Sequence, residues 1–389
     1  MSVRKAILNA TLIDGTGGRP LRDAVIAIEG TRIDDVGTAR QVDVPLDGEL
    51  IDAAGSTVIP GLFDCHMHLG GGPYKAIKTL RDTLNMGITT VAHVGGFERG
   101  ADVVALRDAI DGGLVGPCSR LVAGAVVAAT AGHVRGRVAD GPWEVRRAVR
   151  EQRQANVDFI KTAASGGFWA EHEECWWRDY TFEELEALVD EAHAVGKRVA
   201  VHAHTQPGLN NAIRAEADMI HHGAFIDDEA LRGMAEGDLF FVPTLRVTSE
   251  RNIAIKERAG CPWEARKMAE AHDIHREGVR KARRMGIRIA VGTDLPGTPP
   301  WQAGDTAVEL TELVACGLSP MEALVAATRT SAEALGVESD LGTIEPGKVA
   351  DLVIVAEDPL TSLEALTVES NLVVVMKAGE VVVRREQPW

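Results

Sequence analysis

Short apolar runs alternate with amphipathic stretches through the middle of the chain. The runs are rich in β-branched residues and predict strands, at residues 57–63, 89–93, 120–127, 157–162, 198–202, 218–222, 239–244 and 287–293. Between most of them, apolar residues recur at intervals of three and four, which predicts helices at residues 74–86, 143–154, 182–195 and 274–285. Eight strands with intervening helices predict an α/β fold, a (β/α)8 TIM barrel over residues 58–340.

A doubly wound open sheet is the competing arrangement for alternating strands and helices. Such a sheet is expected to carry a glycine-rich phosphate turn after an early strand, and the sequence contains no G-x-G-x-x-G. The barrel also fits the length of the segment, because this fold takes about 250 residues.

The two ends of the chain differ in pattern from the middle. Residues 1–57 and 341–389 contain short strand-like runs separated by turns rich in glycine and aspartate. Neither piece is long enough to bury a sizeable core alone. We therefore expect a small β-sandwich domain formed from both chain ends, with the barrel inserted between them.

Composition narrows the range of partners. The chain has 389 residues, of which 45% are hydrophobic and 25% charged, as expected of a globular protein. A formal net charge of -16 argues against binding to nucleic acid or to an anionic membrane. Five scattered cysteines without C-x-x-C spacing argue against a disulfide framework, and no apolar run approaches the roughly 18 residues of a membrane span. We expect a cytoplasmic homo-oligomer that acts on a small-molecule substrate.

Side chains of metal-binding type directly follow the predicted strands. His66 and His68 stand one residue apart, so an extended strand points both to the same face. One such pair is weak support for a metal site, but four later strands end in the same way, at Lys161, His202, His222 and Asp294. The carboxyl ends of barrel strands form one mouth, so these six side chains are expected to converge there.

These motifs give the chain a resemblance to the amidohydrolase superfamily, in particular to its binuclear branch with a carboxylated lysine and the imidazolonepropionase-like and prolidase-like group within it. The resemblance covers nearly the whole chain. It rests on His66-x-His68, Ile160-Lys161, His202-Ala203-His204, His222-Gly223, Gly292-Thr293-Asp294 and the closing segment 341–352, which occur in the order typical of the family.

The resemblance implies two divalent metal ions. His66, His68 and Asp294 would hold the first ion, and His202 and His222 the second. Lys161 would carry a carbamate formed with carbon dioxide, whose two oxygens bridge both metals. Zinc is the metal we expect, and manganese, cobalt and nickel stay open because histidine and carboxylate sites accept them too.

The implied reaction is the hydrolysis of a carbon-nitrogen bond by a metal-bridging hydroxide. Asp294 would take the proton of the attacking water and pass it to the leaving nitrogen. His133, in a Gly-His pair after the third predicted strand, resembles the family's contact to the substrate carbonyl. His204, beside the expected ligand His202, is expected either to support the metal ligands or to contact the substrate. His93, at the end of the second strand, lines the pocket or packs inside the barrel.

His221 precedes a predicted ligand on the same strand. Neighbouring residues of a strand face opposite ways, so only one of His221 and His222 is expected to reach the metal. His221 either faces out of the barrel or has a role at the site.

The loop after the fourth strand concentrates aromatic residues, although only 4% of the chain is aromatic. Trp169, Trp176 and Trp177 stand there together with Arg178. They predict a pocket for an apolar or aryl group. Alternatively, they anchor the loop or an oligomer contact. The segment 246–275 is expected to cover the pocket, without an assigned chemistry.

The expected substrate is an apolar N-acyl or N-aryl amide, a carbamate or a urea. One alternative is an Xaa-amino-acid dipeptidase or N-acyl amino acid hydrolase, in which Arg178 would bind the substrate carboxylate. A cyclic amidohydrolase is another. A non-catalytic scaffold is the remote alternative, since such proteins usually lose ligands and this chain keeps all six.

Overall fold

The computed structural model describes residues 4–44, 48–97, 99–295 and 303–385. Its strands are β1 (Arg4–Leu12), β2 (Leu21–Glu29), β3 (Arg32–Thr38), β4 (Glu49–Asp52), β5 (Thr57–Pro60), β6 (Leu62–His68), β7 (Ile88–Gly95), β8 (Arg120–Ala128), β9 (Arg137–Val138), β10 (Phe159–Ala163), β11 (Val199–Ala203), β12 (Met219–His222), β13 (Phe240–Val242), β14 (Arg288–Ile289), β15 (Leu352–Val355), β16 (Leu372–Lys377) and β17 (Glu380–Arg384). Its α-helices are α1 (Pro73–Asn85), α2 (Gly100–Asp111), α3 (Pro142–Gln154), α4 (Phe182–His193), α5 (Gly208–Arg214), α6 (Asp228–Glu236), α7 (Glu250–Arg258), α8 (Pro262–Arg284), α9 (Asp305–Ala315), α10 (Pro320–Val325) and α11 (Ser331–Leu335).

The central strands form the predicted barrel. They pair in parallel in the order β6-β7-β8-β10-β11-β12-β13-β14. The segment after β14 closes the ring against β6, because the backbone N–H of Cys65 donates to the carbonyl of Val291 at 2.8 Å and the N–H of Asp294 donates to the carbonyl of His66 at 2.8 Å. The carboxyl ends of the strands therefore meet at one mouth.

The barrel interior is filled below the mouth. Small side chains alternate with a few large ones in this inner cluster, which contains Cys65, Ala92, Val94, Val122, Phe159, Ala200, Met219, Phe240, Val242 and Ala290. Such packing makes the barrel a solid support and not a pore. The polar residues above this layer are thus held on a rigid base.

The helices cover the outside of the barrel. Thr181 caps α4 through a capping box with Glu184, as the sequence pattern favours. The predicted helix 274–285 is the second half of the longer α8, whose first half buries Ala265, Met268 and Ala271. None of the described helices combines the length and apolarity that crossing a membrane requires.

Strands from both chain ends form a second, mixed sheet. Its order is β17-β16-β15-β5-β1-β2-β3, and β4 pairs with β1. Apolar residues from both ends share one core, which includes Ile7, Ile26, Ile28, Leu352, Ile354 and Met376. The two ends of the chain thus contribute to one mixed sheet and one apolar core.

The predicted strand 57–63 is two strands in the structure. β5 belongs to the sheet of the chain ends, and β6 belongs to the barrel. The chain changes sheet at Gly61, whose N–H donates to the carbonyl of Asp351 at 2.8 Å, while the N–H of Leu62 donates to that of Gly87 at 2.9 Å. A Cβ at Gly61 would lie 2.2 Å from the Thr89 hydroxyl, so the crossing requires glycine.

Candidate metal centre and active site

Asp64 ties the first strand of the barrel to the last. Its buried carboxylate accepts hydrogen bonds from the His66 N–H at 3.0 Å, from the Thr293 N–H and hydroxyl at 3.1 and 2.6 Å, and from the Thr306 hydroxyl at 3.0 Å. Burial raises the pKa of Asp64 to about 6, against the effect of these hydrogen bonds. The carboxylate thereby fixes the segments that carry His66 and Asp294.

Asp294 lies against the His-x-His pair, as the sequence predicts. Its Oδ1 is 2.9 Å from His68 Nε2 and 3.4 Å from His66 Nε2. Burial acts to raise the pKa of Asp294, but hydrogen bonds to both histidines hold it well below its usual value. Together with His222, His66 and Asp294 form a group whose ligand atoms all lie within 4.8 Å of one another, close enough to hold a metal ion.

A second group of possible ligands consists of His202, His204 and His222. Their ligand atoms also lie within 4.8 Å of one another, and all three side chains are buried. Burial holds the pKa of each ring well below its usual value, so the rings are neutral, which is the form that binds metals. The structure thus brings His204 as close to this group as His202.

Lys161 is enclosed in the barrel beneath these histidines. Its side chain is 1% exposed, and its Nζ has no hydrogen-bond partner among the described residues. Burial lowers its pKa to about 7, so a large share of the amine is neutral near pH 7. Burying an amine without a hydrogen-bond partner costs free energy. A bound group that offers hydrogen bonds or coordination at this position would reduce that cost.

His221 and His222 both turn towards the site, although strand alternation predicts otherwise. His221 is buried, and its Nδ1 lies 2.7 Å from His66 Nδ1, so the suggested outward orientation of His221 is wrong. Its Cα is paired in register with that of the inward-facing His202. Alternation fails because His222 has a φ of 72°, in the left-handed region that few residues other than glycine adopt. Its ring therefore reaches the ligand group as well.

His133 stands beside the second group of histidines. Its ring stacks on His202 with centroids 4.0 Å apart, and its Nδ1 lies 2.8 Å from Glu173 Oε1. Its backbone N–H donates to Asp179 Oδ2 at 2.8 Å. With Nδ1 bound to Glu173, the Nε2 of His133 is left to interact with a substrate.

A cavity of about 560 Å³ opens above the candidate ligands. Its described lining includes His68, His133, His202, His204, His222, Asp294, Val94, Phe97, Phe168, Trp169, Val247 and Met268. The predicted cover is confirmed, since residues of the segment 246–275 lie in the wall.

Four predicted substrate contacts lie outside that lining. Trp176 and Trp177 are 62% and 52% exposed, and neither they nor Arg178 are among the described residues that form the wall. His93 is buried behind it, where its Nδ1 accepts the Leu69 N–H at 3.4 Å. Of the loop aromatics, Phe168 and Trp169 line the cavity.

Charged residues that the sequence did not single out also reach the cavity. Arg135 is exposed at the mouth and lies over the Trp169 ring at 5.4 Å, with no ion-pair partner among the described residues. Arg246 is buried and paired with Asp305 at 3.0 Å. The sequence offers one indication that Arg135 reaches the cavity, its position two residues after His133. Because both residues lie in a loop, no periodic pattern predicts the direction of the Arg135 side chain.

The comparisons with known proteins agree with this fold. A family model for the amidohydrolase family matches residues 57–382, and the chain belongs to that family. Ochratoxinase of Aspergillus niger is 29% identical over 431 aligned positions, which cover 96% of this chain and 86% of the relative. Imidazolonepropionase of Symbiobacterium thermophilum is 28% identical over 391 positions, with 90% and 85% covered.

A solved structure also resembles this chain over nearly its whole length. The crystal structure of a Xaa-Pro dipeptidase with methionine bound in its active site superposes with a TM-score of 0.87 and 30% identity, over 97% of this chain and 99% of that one. The family and these relatives identify the chain as a hydrolase that acts on carbon-nitrogen bonds. Members of the family generally bind divalent metals, and the histidine and aspartate groups of this chain could hold them.

Proposed function

We propose that this hydrolase depends on two divalent metal ions. His66, His68 and Asp294 would hold one ion, and His202 and His222 the other. The proposal rests on the two ligand groups at the mouth, which share His222, and on the 2.9 Å contact that brings His68 Nε2 to Asp294. His204 stands where it can replace His202 as ligand or contact the substrate.

Lys161 would join the two ions as a carbamate. A neutral amine can add carbon dioxide and lose a proton, which leaves one negative charge on two oxygens. The buried Nζ without a described partner and the lowered pKa of Lys161 both favour this modification. We propose zinc as the native metal, with manganese, cobalt and nickel as further candidates.

When bound, divalent metals lower the pKa of a coordinated water and polarise the scissile carbonyl. Asp294 would accept the proton of the attacking water and deliver it to the leaving nitrogen, for which its lowered pKa keeps it ionised. His133, whose ring Glu173 orients through Nδ1, would contact the substrate through Nε2. The cavity walls would keep bulk water from the polarised carbonyl.

The proposed substrate is an amide, carbamate or urea with an apolar acyl or aryl group. The observation that carries this choice is the cavity wall, where Phe97, Phe168, Val247 and Met268 face the same space as the ligand groups. An apolar acyl or aryl group bound in the cavity would remove apolar surface of the substrate and of the cavity wall from water, which favours binding.

A second candidate is a dipeptide or N-acyl amino acid with a free carboxylate. The guanidinium of Arg135 at the mouth, which has no ion-pair partner in the described part of the chain, favours it, because a carboxylate can bind a guanidinium through two hydrogen bonds. Arg135 takes over the role that the sequence suggested for Arg178. A cytoplasmic location and homo-oligomerisation stay predictions.

Matched substrates test the two candidates. Each N-acyl amino acid would be assayed beside its uncharged C-terminal amide, with zinc-loaded protein and with Arg135→Gln. The apolar proposal expects similar kcat/KM for both members of a pair and little effect of the substitution. A preference for the free acid of tenfold or more that Arg135→Gln removes would establish the second candidate. Absence of hydrolysis across amides, carbamates and ureas, together with no bound metal, would support a scaffold.

A further inference from the structure

His221 lies directly behind the proposed metal ligand His66. The Nδ1 atoms of the two rings are 2.7 Å apart, and the ring centroids are 4.7 Å apart. Both side chains are buried, at 0% and 1% exposure. The other ring nitrogen of His221, Nε2, has no hydrogen-bond partner among the described residues. Among the described residues, His66 is thus the one hydrogen-bond partner of the His221 ring.

The chemistry of the pair sets the direction of the hydrogen bond. Two Nδ1–H groups cannot face each other at 2.7 Å, so one ring donates and the other accepts. The Nε2 of His66 is the atom on the side of Asp294, at 3.4 Å. A metal ion held there needs the lone pair of that Nε2, which puts the proton of His66 on Nδ1. His221 is then the acceptor.

The backbone explains why His221 can take this position. Its Cα pairs in register with His202 of β11, so the strand directs its side chain into the barrel. The left-handed φ of 72° at His222 lets the next ring enter the same mouth. Ligating histidines generally give their second N–H to an acceptor, which fixes the tautomer and the orientation of the ring.

We propose that His221 is a positioning residue of the metal centre, whose Nδ1 accepts the Nδ1–H of His66 and so holds His66 Nε2 ready to bind a divalent cation. This inference rests on the proposed metal-dependent function. His221 is absent from the described cavity lining and from both described ligand groups.

Two substitutions of His221 separate the hydrogen bond from the packing of the ring. The side-chain oxygen of asparagine can occupy the place of Nδ1, whereas the amide group of glutamine extends to that of Nε2. We expect His221→Asn to bind zinc within about threefold of the wild type and His221→Gln to bind it about 10- to 100-fold more weakly. Zinc affinity would be measured by competition with a chromophoric chelator, and the number of zinc ions per chain by inductively coupled plasma mass spectrometry. Neither measurement requires turnover.

The outcomes are distinct. Equal zinc affinities of the two variants, or weaker binding by His221→Asn, would overturn the inference. If His221→Gln does not fold, His221→Leu, which fills the space without an acceptor, takes its place with the same expectation. A wild-type protein that binds no zinc in the presence of bicarbonate would instead overturn the proposed function.

Discussion

A methyl group added at Gly95 should displace the metal ligand candidate His68. Gly95 ends β7, and a Cβ there would lie 2.7 Å from His68 Nδ1 and 3.0 Å from its Cε1. The φ of Gly95 is not positive, so alanine fits the backbone and the steric conflict involves only the histidine ring.

The size of the effect follows from these distances. Non-bonded heavy atoms prefer separations of about 3.5–4.0 Å, so the His68 ring must retreat by about 1 Å. This movement would disturb the 2.9 Å contact between His68 Nε2 and Asp294 Oδ1. A displacement of about 1 Å at a catalytic site can lower the rate about 100-fold, which corresponds to about 2.7 kcal/mol in the barrier.

The assay compares kcat/KM and bound zinc for Gly95→Ala and Gly70→Ala. Gly70 is the matched control, because a Cβ there meets its nearest heavy atom at 3.8 Å. We expect a loss of about 100-fold and weaker zinc binding in Gly95→Ala, with Gly70→Ala close to the wild type. Wild-type kinetics and metal content in Gly95→Ala would refute the assignment of His68 as a ligand.

Three further predictions concern residues of the same site. Asp294→Asn should lower kcat about 1,000-fold or more, because it removes the proposed proton carrier, while circular dichroism shows an unchanged fold; retained turnover would contradict its role. With 13C-bicarbonate, the wild-type protein should give a carbamate signal that Lys161→Ala lacks. The signal should grow as the pH rises through about 7, where the pKa of Lys161 lies and the amine loses its proton; a pH-independent signal would count against it. Phe168→Ala should raise KM for apolar substrates about tenfold, since this ring is 4% exposed and lies 4.3 Å from His204. Trp177→Ala should leave KM unchanged, and equal effects of these last two substitutions would argue against the assigned cavity wall.

The barrel and its six candidate ligands could be predicted because periodicity and strand order determine them. Each of the six residues follows a short apolar run, and the carboxyl ends of parallel strands must meet. The same reasoning missed the division between β5 and β6, since both strands are apolar and only Gly61 marks the change of sheet. The first half of α8 was missed because charged residues interrupt its apolar period.

Side-chain direction was harder to predict than position along the chain. Strand alternation let only one of His221 and His222 face the site, but a positive φ at His222, which is not visible in the sequence, brings both rings there. The clustering of tryptophans in the loop after β10 was real, but Trp176 and Trp177 stand at the surface. The position of the Arg135 side chain depends on the path of the loop after β8, and the sequence of that loop contains no regular pattern from which the path could be predicted.

Stepwise metal titration of the apoprotein tests whether hydrolysis requires two metal ions. Zinc would be added in steps to chelator-treated protein with bicarbonate present, and hydrolysis of an N-acyl amide that the enzyme cleaves would be followed at each step. We expect no activity without metal and a rise in activity that saturates near two equivalents of zinc per chain. Full activity in metal-free protein would contradict a metal-dependent mechanism, and saturation at one equivalent would contradict the two-metal site around Lys161.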